Sequence, residues 1–255
     1  MLLAVDIGNT ITTLGTFEGK ELRSTWYTAT VIHRTADEHA ILLLNLLRNR
    51  GLDTSDIKEV ALCSVVPPLT SIYEEMFQRH FGISPLVVAA GIKTGVRICM
   101  DNPKEVGADR IVDAAAAHHL YGGPIIIVDL GTGTTFDTVS ESGDYLGGAI
   151  APGIGVAAEA MFRRAAMLPH IELARPSCVI GTNTIDAMKS GIVFGYVALV
   201  EGVVARIQRE LGTKTKVVAT GGYAELIAKE TKVIDEVNPN LTLIGLMLVY
   251  QMNKT

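Results

Sequence analysis

The chain has 255 residues, a formal net charge of −5 and a sequence pI of about 5.7, which argues against a protein built to grip nucleic acid and points to a small-molecule ligand. Hydrophobic residues make up 48% and charged residues 19%, with mean hydropathy +0.32, so the chain is globular with an apolar surplus that a large subunit interface explains. Cys63, Cys99 and Cys178 are odd in number and contain no Cys-x-x-Cys pair, which indicates neither a disulfide framework nor a structural zinc site and fits reduced thiols in the cytoplasm. Asp6 interrupts the apolar start without a basic segment before it, so no export signal is read there. The most apolar stretch, Ile192 to Ala205, is broken by Glu201 and falls short of a membrane span.

In chain order, Leu2 to Val5 reads as a buried strand ending on Asp6, Ile11 to Phe17 as the next strand, and Leu22 to Thr28 as a returning strand after a Glu18-Gly19-Lys20 hairpin loop. Thr35-Ala36-Asp37-Glu38 has the form of a helix start, Ile41 to Leu47 supplies that helix's apolar face, and Gly51 ends it. Val60 to Val66 is a strand, Pro67-Pro68 turns the chain ahead of a helix over Leu69 to Phe81, and Leu86 to Ala89 adds a short strand. An Ala-rich helix spans about Ile111 to Leu120, with His118 and His119 read as packing residues, and Gly122-Gly123-Pro124 links to the second half.

There Ile125 to Asp129, Thr135 to Val139 and Leu146 to Ile150 repeat the meander. A helix follows over Val156 to Ala166, with Arg163 and Arg164 solvated or interfacial. A longer helix begins near Ile185, bends or breaks near Gly195 and runs toward Leu211. Val217 to Thr220 is a strand, Ala224 to Lys229 a short helix, and Thr242 to Met252 a final apolar helix.

The two halves share a motif. Val-Asp-Ile-Gly-Asn-Thr at Val5 to Thr10 returns as Val-Asp-Leu-Gly-Thr-Gly at Val128 to Gly133, at a constant offset of 123 residues. An Asp at the end of a buried strand needs a partner, and a cation is one candidate. Gly8, Gly131 and Gly133 are expected to adopt positive φ and let the backbone approach a ligand, with small hydroxyl side chains and main-chain N–H groups as donors. The duplication predicts two equivalent domains, 1–117 and 118–255, facing each other across a cleft. No P-loop, dinucleotide Gly-x-Gly-x-x-Gly, His-Glu-x-x-His or nucleophile elbow is present.

Paired Asp-Gly-Thr hairpins of this kind resemble the actin, hexokinase and heat-shock-protein ATPase superfamily. The implied fold class is α/β, with two duplicated ribonuclease-H-like domains of mixed sheets flanked by helices. A closer resemblance rests on Asp6-Ile7-Gly8-Asn9-Thr10, Ser64-Val65-Val66-Pro67-Pro68, Asn102-Pro103 with Glu105-Val106-Gly107-Ala108-Asp109-Arg110, Gly147-Gly148-Ala149-Ile150-Ala151-Pro152-Gly153, Phe162-Arg163-Arg164-Ala165-Ala166 and Ala219-Thr220-Gly221-Gly222. Together these blocks resemble the type III pantothenate kinases across nearly the whole chain.

The resemblance implies ATP-dependent phosphorylation of pantothenate, the first step of coenzyme A synthesis, by a cytoplasmic homodimer with no nucleic-acid or membrane partner. It implies magnesium with the ATP and a monovalent cation, potassium or ammonium. Carried over by position, Asp6, Ile7, Gly8, Asn9, Thr10, Ile11, Thr12, Thr13 and Thr132 bind ATP, and Asp129 holds the monovalent cation. Met100, Gly107, Ala108, Asp109, Arg110 and Thr184 bind pantothenate, and Asp109 is the catalytic base. Ile11 stands where relatives often carry a polar residue, and Met100 where many carry Tyr.

A carboxylate near pKa 3.9 and an alcohol near about 15.7 differ by on the order of 16 kcal/mol, so Asp109 orients the hydroxyl and takes its proton late rather than ionising it beforehand. Residue spacing alone leaves other readings open. Asp109 caps the Ala-rich helix or pairs with Arg110, and Arg110 either holds the pantothenate carboxylate or lies on the surface. A non-catalytic regulatory relative, or a superfamily kinase acting on another small alcohol, is the alternative function.

Overall fold

The computed structural model describes residues 1–89 and 91–254. Its strands are β1 (Leu2–Ile7), β2 (Ile11–Glu18), β3 (Glu21–Ala29), β4 (Glu59–Ser64), β5 (Leu86–Val87), β6 (Arg97–Ile98), β7 (Ile125–Leu130), β8 (Gly133–Val139), β9 (Asp144–Pro152), β10 (Lys216–Thr220) and β11 (Glu236–Val237). Its α-helices are α1 (Ala36–Arg48), α2 (Pro67–Phe81), α3 (Ala108–Tyr121), α4 (Ile154–Arg164), α5 (Thr184–Leu211), α6 (Ala224–Ala228) and α7 (Leu241–Asn253). Two compact units result. The first comprises Met1–Arg97, Asp101–Ala116 and Leu241–Thr255, the second Ile98–Met100 and Ala117–Asn240.

In the first unit the sheet runs β3-β2-β1-β4-β5, with β1 antiparallel to β2 and parallel to β4. Strand alternation sends Leu3, Val5 and Ile7 into one core with Leu43 and Leu47 of α1 and Leu69, Tyr73 and Phe77 of α2. The opposite face, carrying Ala4 and Gly15, receives α7, where Leu243 lies so close to Gly15 that an added Cβ there would meet its Cδ1 at 2.7 Å. The last helix of the chain therefore belongs to the first unit's sheet, although it follows the second half in sequence.

The second unit's sheet runs β11-β10-β7-β8-β9-β6, again with a parallel neighbour on one side of the Asp-ending strand and an antiparallel hairpin on the other. Ile126, Val128, Leu130 and Phe136 pack there with Ile154 of α4 and with Met188, Val193, Val200 and Val204 of α5.

Several local expectations are corrected. Pro67 and Pro68 do not precede α2 but form its first turn, where a missing N–H costs nothing and a fixed φ suits the helix. Ile41 is 61% exposed, so the apolar face of α1 is made by Ala40, Leu43 and Leu47 instead. His118 sits against Gly143, but His119 is exposed rather than packed. No break occurs near Gly195; α5 continues unbroken for 28 residues. Ile192 to Ala205 alone is short, but by length and composition the whole of α5 suffices to cross a membrane, a test that a core helix also passes. One of its faces, including Ile192, Val193, Val197, Val200 and Val204, is buried in the second unit's core.

The capping box predicted at Thr35 forms. The Glu38 amide donates to Thr35 Oγ1 at 3.4 Å, and the Thr35 amide donates to Glu38 Oε2 at 2.8 Å. Thr35→Ala is expected to cost about 1 kcal/mol of stability, seen as a lower urea midpoint with the far-UV circular dichroism at 25 °C unchanged.

Candidate active site

In the first unit Asp6 lies at the C-terminal end of β1, beside Cys63 of β4 in the parallel ladder. The Cys63 thiol donates to Asp6 Oδ1 at 3.2 Å. Burial raises the Asp6 carboxyl to about 7; the Cys63 hydrogen bond opposes the shift, and the charge of Asp109 adds to it. Asp109, in the first turn of α3, is thus within electrostatic reach of Asp6. The Cys63 thiol is itself pushed well up, first by burial and then by Asp6, with Asp109 and Asp113 contributing.

Two of these groups, Asp109 and Asp113, are brought together by helix periodicity. The Gly107-Ala108-Asp109-Arg110 block opens α3, so Asp109 and Asp113, one helical turn apart, share a face. The Arg110 amide donates to Asp109 Oδ1 at 2.8 Å, which fixes the carboxylate near the helix N-terminus, where the dipole favours an anion. Gly107 is required there, since a Cβ on it would lie 2.5 Å from Asp109 Oδ1. Sequence reasoning missed Cys63 and Asp113. The i, i+4 spacing of the two aspartates was the available signal for the second, and nothing local marked the first.

The turn after β1 exposes Asn9, Thr10 and Ile11, with Gly8 half-buried, while Ile7 and Thr12 are buried. Thr12 Oγ1 lies 2.9 Å from Thr30 Oγ1 and so faces the interior of the turn rather than solvent. The expected positive φ at Gly8, Gly131 and Gly133 is corrected, since none of the three adopts it. Gly8 is needed for a different reason. Its amide donates to the Ile11 carbonyl at 3.1 Å, and a Cβ would crowd that oxygen at 2.9 Å.

In the second unit Asp129 occupies the matching place at the end of β7, beside Thr220 of β10 and Thr135 of β8. Gly221, at φ +90, leaves room for the Asp129 carboxylate, and a Cβ on it would collide with Oδ1. Thr132 is exposed in the β7–β8 turn, and its carbonyl accepts from the Gly153 amide at 3.1 Å, at the start of α4. Thr184 is exposed in the first turn of α5, next to the Asn183 cap. Met100 also lies in this unit, against Gly147, where an added Cβ would stand 2.8 Å from its sulfur. Among the described residues no group of three or more His, Cys, Asp or Glu side chains is placed to hold a metal ion. A divalent ion therefore needs further oxygens, such as those of a nucleotide's phosphates.

The family model for type III pantothenate kinase matches residues 2–206. A curated type III pantothenate kinase of Dehalococcoides mccartyi is 58% identical over 99% of this chain and 98% of its own length. Among solved structures, a Campylobacter jejuni protein described as a Baf family transcriptional activator superposes with TM-score 0.61 at 17% identity, covering 98% of both chains. An inorganic polyphosphate/ATP-glucomannokinase from Arthrobacter superposes at 0.51 and 14% identity, covering 97% of this chain and 96% of that one. At these identities the two structures speak to fold alone, which is α/β with two mixed sheets flanked by helices.

Asp6 gives the site a pH signature. Its folded-state pKa of about 7 lies above the ordinary carboxylate range, so the native protein holds a proton there that the unfolded chain releases. The associated stability is complete below about pH 4 and is lost as pH rises through about 7, amounting to no more than about 4 kcal/mol. Without nucleotide or magnesium, the melting temperature of wild type is expected to fall relative to Asp6→Asn between pH 4 and pH 8. A constant difference across that range would contradict the assignment.

Proposed function

The chain belongs to the type III pantothenate kinase family, and from that premise we propose how its residues divide the work of transferring a phosphoryl group from ATP to pantothenate. The reaction yields 4′-phosphopantothenate, the first step of coenzyme A synthesis. ATP is the donor, a small alcohol the acceptor, and a divalent ion such as magnesium accompanies the phosphates.

In our reading Asp6, Ile7, Gly8, Asn9, Thr10, Ile11, Thr12, Thr13 and Thr132 bind ATP. Exposed Asn9 and Thr10 contribute side chains and main-chain donors, whereas buried Ile7 and Thr12 shape the turn. Met100, Gly107, Ala108, Asp109, Arg110 and Thr184 take pantothenate, with the Arg110 guanidinium suited to its carboxylate. The observation that carries this reading is the coupling of Asp109 to Asp6. An acid held at a helix N-terminus stays an acceptor, and beside a second buried carboxylate it favours the arrival of a cation.

Asp109 is the base. A loose phosphoryl transition state asks little of the nucleophile beforehand, so the carboxylate orients the hydroxyl and receives its proton late. Magnesium bound with ATP would neutralise charge on the phosphates, and Asp6, at the end of β1 beside the turn assigned to ATP, would be the carboxylate to share it. Asp129 is assigned the monovalent cation. Carboxylate and carbonyl oxygens are hard donors suited to a hard cation, and Gly221 and Gly131 bring main chain close to the Asp129 carboxylate. We also assign a homodimer in the cytoplasm. Its supporting feature is the apolar surplus of the chain, 48% hydrophobic residues, together with exposed Val156, Met161 and Phe162 on α4.

Asp109→Asn is expected to keep the fold and lower turnover by about a hundredfold or more, read as ADP release with pantothenate present and as loss of the phosphorylated product by mass analysis. A folded variant of near-normal activity rejects the base. Replacing potassium or ammonium with sodium is expected to abolish most activity, and equal rates in sodium alone count against the Asp129 site.

A further inference from the structure

We infer that Thr30 is a positioning residue for the nucleotide, strapping the Gly8–Thr10 turn so that the Asn9 amide is aimed at a phosphate. The inference rests on the reading above, that this turn binds ATP. Thr30 follows the last residue of β3 and lies 22 positions from Gly8 in sequence, outside the repeated motif and outside every family block of the chain. Its main-chain amide donates to the Thr10 carbonyl at 2.9 Å. Its hydroxyl donates to the Gly8 carbonyl at 2.7 Å. One residue thus holds the turn on both sides of Asn9.

The consequence follows from the planarity of the peptide bond. The Gly8 carbonyl and the Asn9 N–H belong to one trans peptide unit and point in opposite directions. Pinning the oxygen to Thr30 fixes that plane and directs the Asn9 N–H away from Thr30, on the exposed side of the turn. An oriented main-chain N–H at a tight turn is the kind of donor that anions accept, and holding it beforehand removes an ordering cost from binding.

The strap has backing of its own. With its proton committed to Gly8, the Thr30 hydroxyl accepts from Thr12 Oγ1 at 2.9 Å, and Thr12 is buried. The Thr28 hydroxyl donates to the Thr12 carbonyl at 3.4 Å, so two residues of β3 and its end grip β2 and its turn. This gives buried Thr12 a task that direct contact with ATP does not.

Thr30→Val removes the hydroxyl while keeping shape and the main-chain amide, and Thr30→Ser restores the hydroxyl. With magnesium and potassium present, Thr30→Val is expected to raise the KM for ATP and the ATP dissociation constant about tenfold. The KM for pantothenate should stay within about twofold, and Thr30→Ser should recover wild-type ATP affinity. A valine variant with normal ATP affinity, one not rescued by serine, or one with only a lower melting temperature would overturn the inference. Gly8→Ala separates the two levels of the argument. If it leaves ATP binding intact, the turn is not the nucleotide site; if it weakens binding while Thr30→Val does not, the strap alone fails.

Discussion

A carboxylate at the end of a central buried strand is the constraint on which the first unit is arranged. Asp6 has β2 on one side and β4 on the other, and the thiol of Cys63 donates to it. A thiol is a weak donor, so the anion remains costly until a cation comes. Asp109 adds to that cost. The same electrostatics would favour a cation brought to this carboxylate, as the proposed metal–nucleotide complex would bring one. Stability and function are opposed at this one residue, as they commonly are where a protein prepares a place for an ion.

Around this carboxylate the surrounding parts serve orientation. The Gly107 position lets Asp109 turn back onto the start of its own helix, and the Arg110 amide holds it there. The second unit repeats the strand-and-acid geometry with different neighbours, with Thr220 across the parallel ladder where the first unit has Cys63, and Gly221 packed against the carboxylate. Duplication supplied the frame, and the contacts around each aspartate then diverged. In the proposed function one copy would share a divalent ion with phosphates and the other would meet a monovalent one through oxygen atoms.

Much of this was readable in the chain because it is local. The repeated Val-Asp-x-Gly signature reports strand burial and a tight turn within a few residues, and the Thr35/Glu38 pair reports a helix start by the same logic. What escaped was set by register. Cys63 meets Asp6 across 57 positions and Thr30 meets Gly8 across 22, and neither separation leaves a trace in composition or periodicity. The glycines show the limit of residue-type reasoning. Gly8 was rightly read as indispensable to its turn but for the wrong reason, since crowding by the Ile11 carbonyl, not a left-handed backbone, excludes a side chain there. Ile41 erred similarly, because a continuous apolar run on a helix cannot all face one way.

The seating of α7 on the first sheet carries a consequence for biosynthesis. Ribosomes deliver the chain from its N-terminus, so β1 to β4 emerge with one face of their sheet uncovered, and Leu241–Asn253 arrives only after the whole second unit has been made. During that interval the second unit can complete its own core, while the first must keep apolar strands from pairing with other nascent chains. Loss of α7 would strip a face from a sheet made before the second unit.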